Sequence, residues 1–89
     1  MIRDRIIAIW EYMDLSAPKL EKLTGIDRNN WYHLRNGRRR ANEEDIEAII
    51  KIAPQFAFWL TTGQTAPQIG QVSPEYEEAN TNLSNPSAG

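Results

Sequence analysis

The stretch Ser16-Ala-Pro-Lys-Leu20-Glu-Lys-Leu-Thr-Gly25-Ile-Asp-Arg-Asn-Asn30-Trp-Tyr-His-Leu-Arg35-Asn-Gly-Arg-Arg-Arg40 decides the fold. Ser16 stands where a helix N-cap is expected. Pro18 falls in the first turn, where its missing N–H costs little. A short helix over about residues 17–23 follows, with Leu20 and Leu23 predicted to face inward. Thr24-Gly25 ends it, because glycine takes the left-handed conformation that a sharp turn needs. Ile26 is an apolar plug, and Asp27 caps a further helix over about residues 28–35. Asn36-Gly37 closes that helix, and Arg38-Arg39-Arg40 makes a basic loop. Two short helices joined at a glycine turn cross at about 90–120°, the arrangement of a helix-turn-helix.

The flanks complete an all-α reading. Ile2, Ile6, Ile9, Trp10 and Met13 recur at helical spacing and predict a first helix over about residues 2–13. Asn42 caps a fourth helix over about residues 43–53. Asp45 is placed to return a bond to the cap, and Ile46, Ile49, Ile50 and Ala53 share one face. Glu43, Glu44 and Glu47 sit in its first turns, where acids suit the helix dipole rather than forming a paired-carboxylate site. Pro54 opens a fifth short helix over about residues 55–61, ended by Thr62-Gly63. A compact five-helix domain over residues 1–63 is therefore predicted. Residues 64–89 are rich in Gln, Asn, Ser, Thr, Pro and Gly and are expected to form a polar, mostly flexible tail. Within it, Ser73-Pro74-Glu75-Tyr76-Glu77-Glu78 has the pattern of a capped helical turn.

Charge is distributed more tellingly than it sums. The 89 residues carry a net charge of −2. Residues 1–63 hold ten basic and nine acidic residues, a net of +1, and Glu75, Glu77 and Glu78 put −3 on the remainder. Between Arg28 and Arg40 there are five arginines and no acid. Such a concentration matters more for a polyanionic partner than the overall sum does. The chain has no cysteine and one histidine, His33. Disulfides are excluded, and so is a zinc site needing three or four N or S ligands. No cofactor, small-molecule or metal site is read. The apolar run Ile6 to Trp10 is too short for a signal peptide core or a membrane span. A soluble, cytoplasmic protein is the expectation.

In the helix beginning at Arg28, Trp31 and Leu34 share the inward face. The opposite face carries Arg28, Asn29, Tyr32 and His33, with Asn30 at the border. Arginine can donate two bonds to guanine O6 and N7, and asparagine can pair with adenine N6 and N7. These four are the candidate base-reading residues of a helix lying in the major groove of duplex DNA. Lys19, Arg35, Arg38, Arg39 and Arg40 flank the helix and suit phosphates, which position without reading sequence. Asn30 and Asn36 are further backbone candidates. Ser16 opens a helix N-terminus whose N–H groups could meet a phosphate.

The run from Leu20 to Arg40 resembles the helix-turn-helix of Cro- and repressor-like (Xre) regulators. Asn42, Asp45-Ile46, Ile49 and Ala53, then Trp59-Leu60-Thr-Thr-Gly63, are similar to that family's last two helices. The resemblance covers about residues 2–63. It implies a five-helix repressor-like fold, sequence-specific operator binding, commonly as a dimer, and a role in bacterial or phage transcription control. It also implies base contacts from the first, second and sixth residues of the recognition helix, here Arg28, Asn29 and His33, with Tyr32 adding one. Two positions depart from the family. Ala17 stands where a glutamine often clamps a phosphate. Glu21 stands where alanine is common, and must turn outward or pair with an arginine.

Phe56, Phe58 and Trp59 exceed what one short helix can bury in so small a core, and are the candidate dimer interface. Two-fold repetition would add affinity and selectivity to a module reading about 4–5 base pairs. No glycine-rich phosphate loop or nucleophile–base pairing is evident, so catalysis is not expected. The alternative is a helical interaction module, an antitoxin or adaptor, docking through Phe56, Phe58 and Trp59 or through the tail. Such a module would not need the acid-free arginine run.

Overall fold

Local sequence signals place most helix ends. Ser16 Oγ accepts the Lys19 N–H at 3.2 Å, Asp27 Oδ1 accepts the Asn29 N–H at 2.7 Å, and Asn42 and Asp45 form a reciprocal capping box. In this computed structural model, which describes residues 1–84, those caps open α2 (Ala17–Thr24), α3 (Arg28–Arg35) and α4 (Glu43–Ile52). α1 (Ile2–Tyr12) precedes them. A single 3-10 turn, Pro54–Phe56, leads into α5 (Ala57–Thr62). Gly25 ends α2 at φ 79°, a conformation that a side chain would strain. These five helices fall close to the predicted ranges, and all-α is the class of the described residues.

The helix count differs: the described residues form six. Past Gly63 the described chain makes a 3-10 turn, Pro67–Ile69, and then α6 (Pro74–Ser84). The capped turn read at Ser73 is its start, with Ser73 Oγ accepting the Tyr76 N–H at 3.0 Å. Hydrogen bonds from polar groups, with only Val72 and Pro74 packed inward, tie this segment down, which is why its composition reads as a tail. Gln71 Oε1 accepts the Phe58 N–H at 2.9 Å, Gln71 Nε2 donates to the Pro54 carbonyl at 3.1 Å, and the Val72 N–H donates to the Gln55 carbonyl at 2.9 Å. Pro74 is buried, and α6 packs along α1. Residues 85–89 lie outside the described part of the expected tail.

The core forms where α1, α3, α4 and α5 converge. Ile6, Ile9, Leu20, Trp31, Leu34, Ile49, Phe56 and Leu60 are fully enclosed. Trp10 meets Trp31 edge-on at 6.3 Å, and Tyr12 meets Phe56 at 5.9 Å. Two sequence expectations are corrected here. Leu23 is 55% exposed rather than inward, because α2 ends one residue later and turns that position toward an open groove beside α4. Phe56 is wholly internal, because the 3-10 turn swings it onto Tyr12 and under α1, so it cannot belong to a subunit interface.

Two arginines of α1 fasten helix ends far along the chain. Arg3 donates to the Leu34 carbonyl at 2.7 Å and the Arg35 carbonyl at 2.8 Å, and Arg5 to the Leu60 carbonyl at 2.9 Å. Positive charge at a helix C-terminus satisfies orphan carbonyls and opposes the dipole. Among the described residues, no helix is long and apolar enough to cross a membrane.

At the α1–α6 contact, burial, then hydrogen bonding and negative charge from Glu77, then charge from Glu78, push the Tyr12 phenol up from its usual value near 10. A phenol with a raised folded-state value contributes stability that is complete below pH 10 and is lost as pH rises through the raised value. The protein should therefore lose stability above about pH 10, and Tyr12→Phe should flatten that loss. Urea unfolding followed across alkaline pH checks this; equal loss in both proteins would refute it.

Candidate nucleic-acid interface

α3 presents two different faces. Trp31 and Leu34 are fully buried, and they hold the helix rigidly against α1 and the core. Asn29, Asn30, Tyr32, His33 and Asn36 are exposed on the other side, with Tyr32 at 43%. The outward polar row predicted from the sequence is therefore brought together on one helix, and no part of the described chain covers it.

The arginines divide into two groups that the sequence does not separate. Arg38 and Arg40 are exposed, as is Lys19 at the start of α2, and none of these makes an ion pair among the described residues. Arg35 and Arg39 are engaged internally. The Arg35 guanidinium sits 5.0 Å above the Trp10 ring and meets Glu11 at 3.2 Å. Arg39 grips the buried Asp45 with both ends of its fork, Nη1 to Oδ2 at 2.6 Å and Nη2 to Oδ1 at 3.0 Å, while its Nε donates to the Asn30 carbonyl at 2.9 Å. Arg39 thereby ties the basic loop to α3 and α4. Its guanidinium is not available as the phosphate ligand that its sequence neighbourhood suggests.

Arg28 is the third case. It is exposed at the start of α3, but Glu21 of α2 reaches across the turn to it. Glu21 Oε1 accepts Arg28 Nε–H at 3.0 Å and Nη2–H at 2.8 Å, and Oε2 accepts the Arg28 backbone N–H at 3.0 Å. Of the two arrangements expected for Glu21, turned outward or paired with an arginine, the second is found. Hydrogen bonding from Arg28 lowers the Glu21 carboxyl below its ordinary value, and the guanidinium is correspondingly raised.

Ser16 is exposed, and its oxygen serves as the α2 cap. Sequence reasoning missed Arg3, which lines an open cleft with Met1, Ile2, Arg5 and the loop Gly37 to Ala41. The early positive charge of α1 was its only sequence signal. Arg38 and Arg40, beside the Arg3 guanidinium that meets Asp4 at 3.3 Å, make a positive rim around the C-terminal end of α3.

No family model matches the chain, and no curated protein matches it. Among solved structures, the chain is similar to Pf6r from the filamentous phage Pf6 of Pseudomonas aeruginosa PA01. The TM-score is 0.81 and the sequence identity 28%, over 94% of this chain and 98% of that one. That span reaches well past Gly63, so the shared architecture extends beyond the five helices read from sequence.

Proposed function

We propose that this protein is a regulator, of phage or bacterial type, that binds a specific double-stranded DNA site through α3 and does so as a homodimer. The observation that carries the reading is the division of α3. Its apolar side is fully enclosed, its polar side is bare, and unpaired cations stand at its end. Arg28, Asn29, Tyr32 and His33 read base edges in the major groove, where side-chain amides and guanidinium groups find distinct donor and acceptor patterns. Lys19, Arg38 and Arg40 take phosphates, with Ser16, Asn30 and Asn36 alongside. Arg35 and Arg39 support the site from within. The similarity to a phage protein of the same size and architecture supports the phage-type setting of this reading. The role is binding without chemistry.

Replacing Arg38 and Arg40 together with Ala should weaken binding to every sequence alike. The slope of log affinity against log salt should become shallower by about two per protomer, or about four for a dimer on its duplex. Fluorescence anisotropy across a salt series checks this, and an unchanged slope would remove these residues from the phosphate set.

The dimer face is a shallow apolar surface lined by Ile50, Ala57, Phe58, Thr61, Ala66 and Ile69, with Ile69 72% exposed. No charged side chain lines it, so a second copy can meet it without like-charge repulsion. Trp59 is half-buried against the core and stands outside this surface. Ile69→Glu should convert the protein to a monomer in sedimentation equilibrium with little loss of folded stability. A variant that remains dimeric would place the interface elsewhere.

A further inference from the structure

We infer that Glu21 is a specificity-determining positioning residue: it fixes the Arg28 guanidinium in one orientation, turning that arginine from a general anion ligand into a reader of guanine. The inference rests on α3 being the DNA-reading helix and adds to it a residue of α2 that touches no base.

The geometry defines which part of Arg28 is left over. A guanidinium has five N–H donors in a rigid planar fork. Glu21 Oε1 takes Nε–H and one Nη2–H, which is the whole lateral edge of the fork. Its other oxygen is fixed by the Arg28 backbone N–H, so the carboxylate cannot swing away with the side chain. The end-on edge, Nη1–H and the second Nη2–H, points away from Glu21 on a side chain that is half exposed. Two parallel N–H donors at that spacing are what guanine O6 and N7 accept.

Two consequences follow. The flexible stem of Arg28 is ordered before any partner arrives, so the ordering cost of a long side chain is not met on binding. The pair is also close to neutral as a unit, so Arg28 adds little to the attraction of an arbitrary phosphate backbone. What remains is a directional contact that forms only where a base presents two acceptors. A freely swinging arginine at the same place would do the opposite, raising affinity for all duplexes.

The test uses the full chain, the duplex that the wild-type protein selects from random DNA, and that duplex with each base pair changed in turn. Arg28→Ala identifies the base pair that Arg28 reads. Glu21→Gln keeps the size of the side chain and an acceptor for the backbone N–H but removes the charge. It is expected to bind unselected duplex several-fold more tightly, and to lose about tenfold of the discrimination at the Arg28-dependent base pair. Full discrimination in Glu21→Gln, alongside its loss in Arg28→Ala, would overturn the role of Glu21 and leave the DNA reading intact. Failure of the wild type to select any sequence would end both. A second readout needs no DNA: the Arg28 guanidinium should show hindered rotation by NMR in the wild type and fast rotation in Glu21→Gln. Arg28 rotating as freely as Arg40 in the wild type would also overturn it.

Discussion

Replacing Arg39 with Ala should destabilise the protein by about 3–5 kcal/mol and lower its melting temperature by about 12 °C or more. Arg39 looks from sequence like the middle member of a solvated basic loop, where such a change is nearly neutral. In the fold its partner Asp45 is 1% exposed, and the pair is bidentate. Removing the arginine leaves a carboxylate that cannot reach water and whose remaining partner is the Asn42 N–H, at 2.9 Å. The bond from Arg39 to the Asn30 carbonyl is lost as well, so α3 and α4 both loosen. A domain of this size has a total stability of about 5–15 kcal/mol, so the loss is a large share of the margin. Asp45→Asn should act in the same direction, because it leaves Arg39 without its countercharge. Thermal and urea unfolding of the full chain measure the effect. A melting temperature within about 3 °C of the wild type would show that the pair is dispensable. With the expected destabilisation, reduced DNA binding by an Arg39 variant reflects the scaffold, and Arg38 and Arg40 are the cleaner probes of phosphate contact.

Trp31→Ala should cost a comparable amount, about 3–5 kcal/mol. Trp31 is the largest of the fully buried side chains and leans edge-on against Trp10. Truncation would open a cavity directly beneath α3, the element whose rigidity the proposed DNA reading requires. Trp31→Phe is the informative companion. The Trp31 indole nitrogen is buried with no hydrogen-bond partner among the described residues. Phenylalanine removes that unsatisfied donor while leaving a smaller void, and the two effects partly offset. Phe at position 31 should therefore lose less than half of what Ala loses, and should keep sequence-specific binding. Equal losses for the two variants would show that ring contact contributes little there.

The fold was legible wherever it is written in neighbouring residues. Ser16, Asp27 and Asn42 each cap a helix through a bond spanning two or three positions, and Gly25 turns the chain on its own. The division of α3 into Trp31 and Leu34 on one side and Asn29, Tyr32 and His33 on the other is a matter of 3.6-residue phase. What escaped depends on chain folding back. Arg39 and Asp45 are only six residues apart, but nothing local shows that the loop returns the guanidinium to the α4 cap. Arg3 and Arg5 work 31 and 55 residues from their carbonyl partners. Phe56 looked surplus to a short helix because the 3-10 turn that redirects it carries no strong pattern. α6 was understated because Gln71 holds its approach through backbone bonds, and hydropathy does not register such a residue as structural. The interface reading is affected in the same way. Residue types indicated which side chains suit DNA, and only the fold separates Arg38 and Arg40 from Arg35 and Arg39.

The most direct test is an amide NMR titration of the full chain with a duplex enriched from random DNA. The expected result is that perturbations centre on residues 28–36 and extend to Ser16, Lys19 and Arg38 to Arg40, while the groove of Leu23, Ile26, Glu47, Lys51 and Ile52 stays silent. Shifts confined to that groove or to the Phe58 and Ile69 surface, or none at saturating duplex, would contradict the assignment of α3 as the DNA-reading helix.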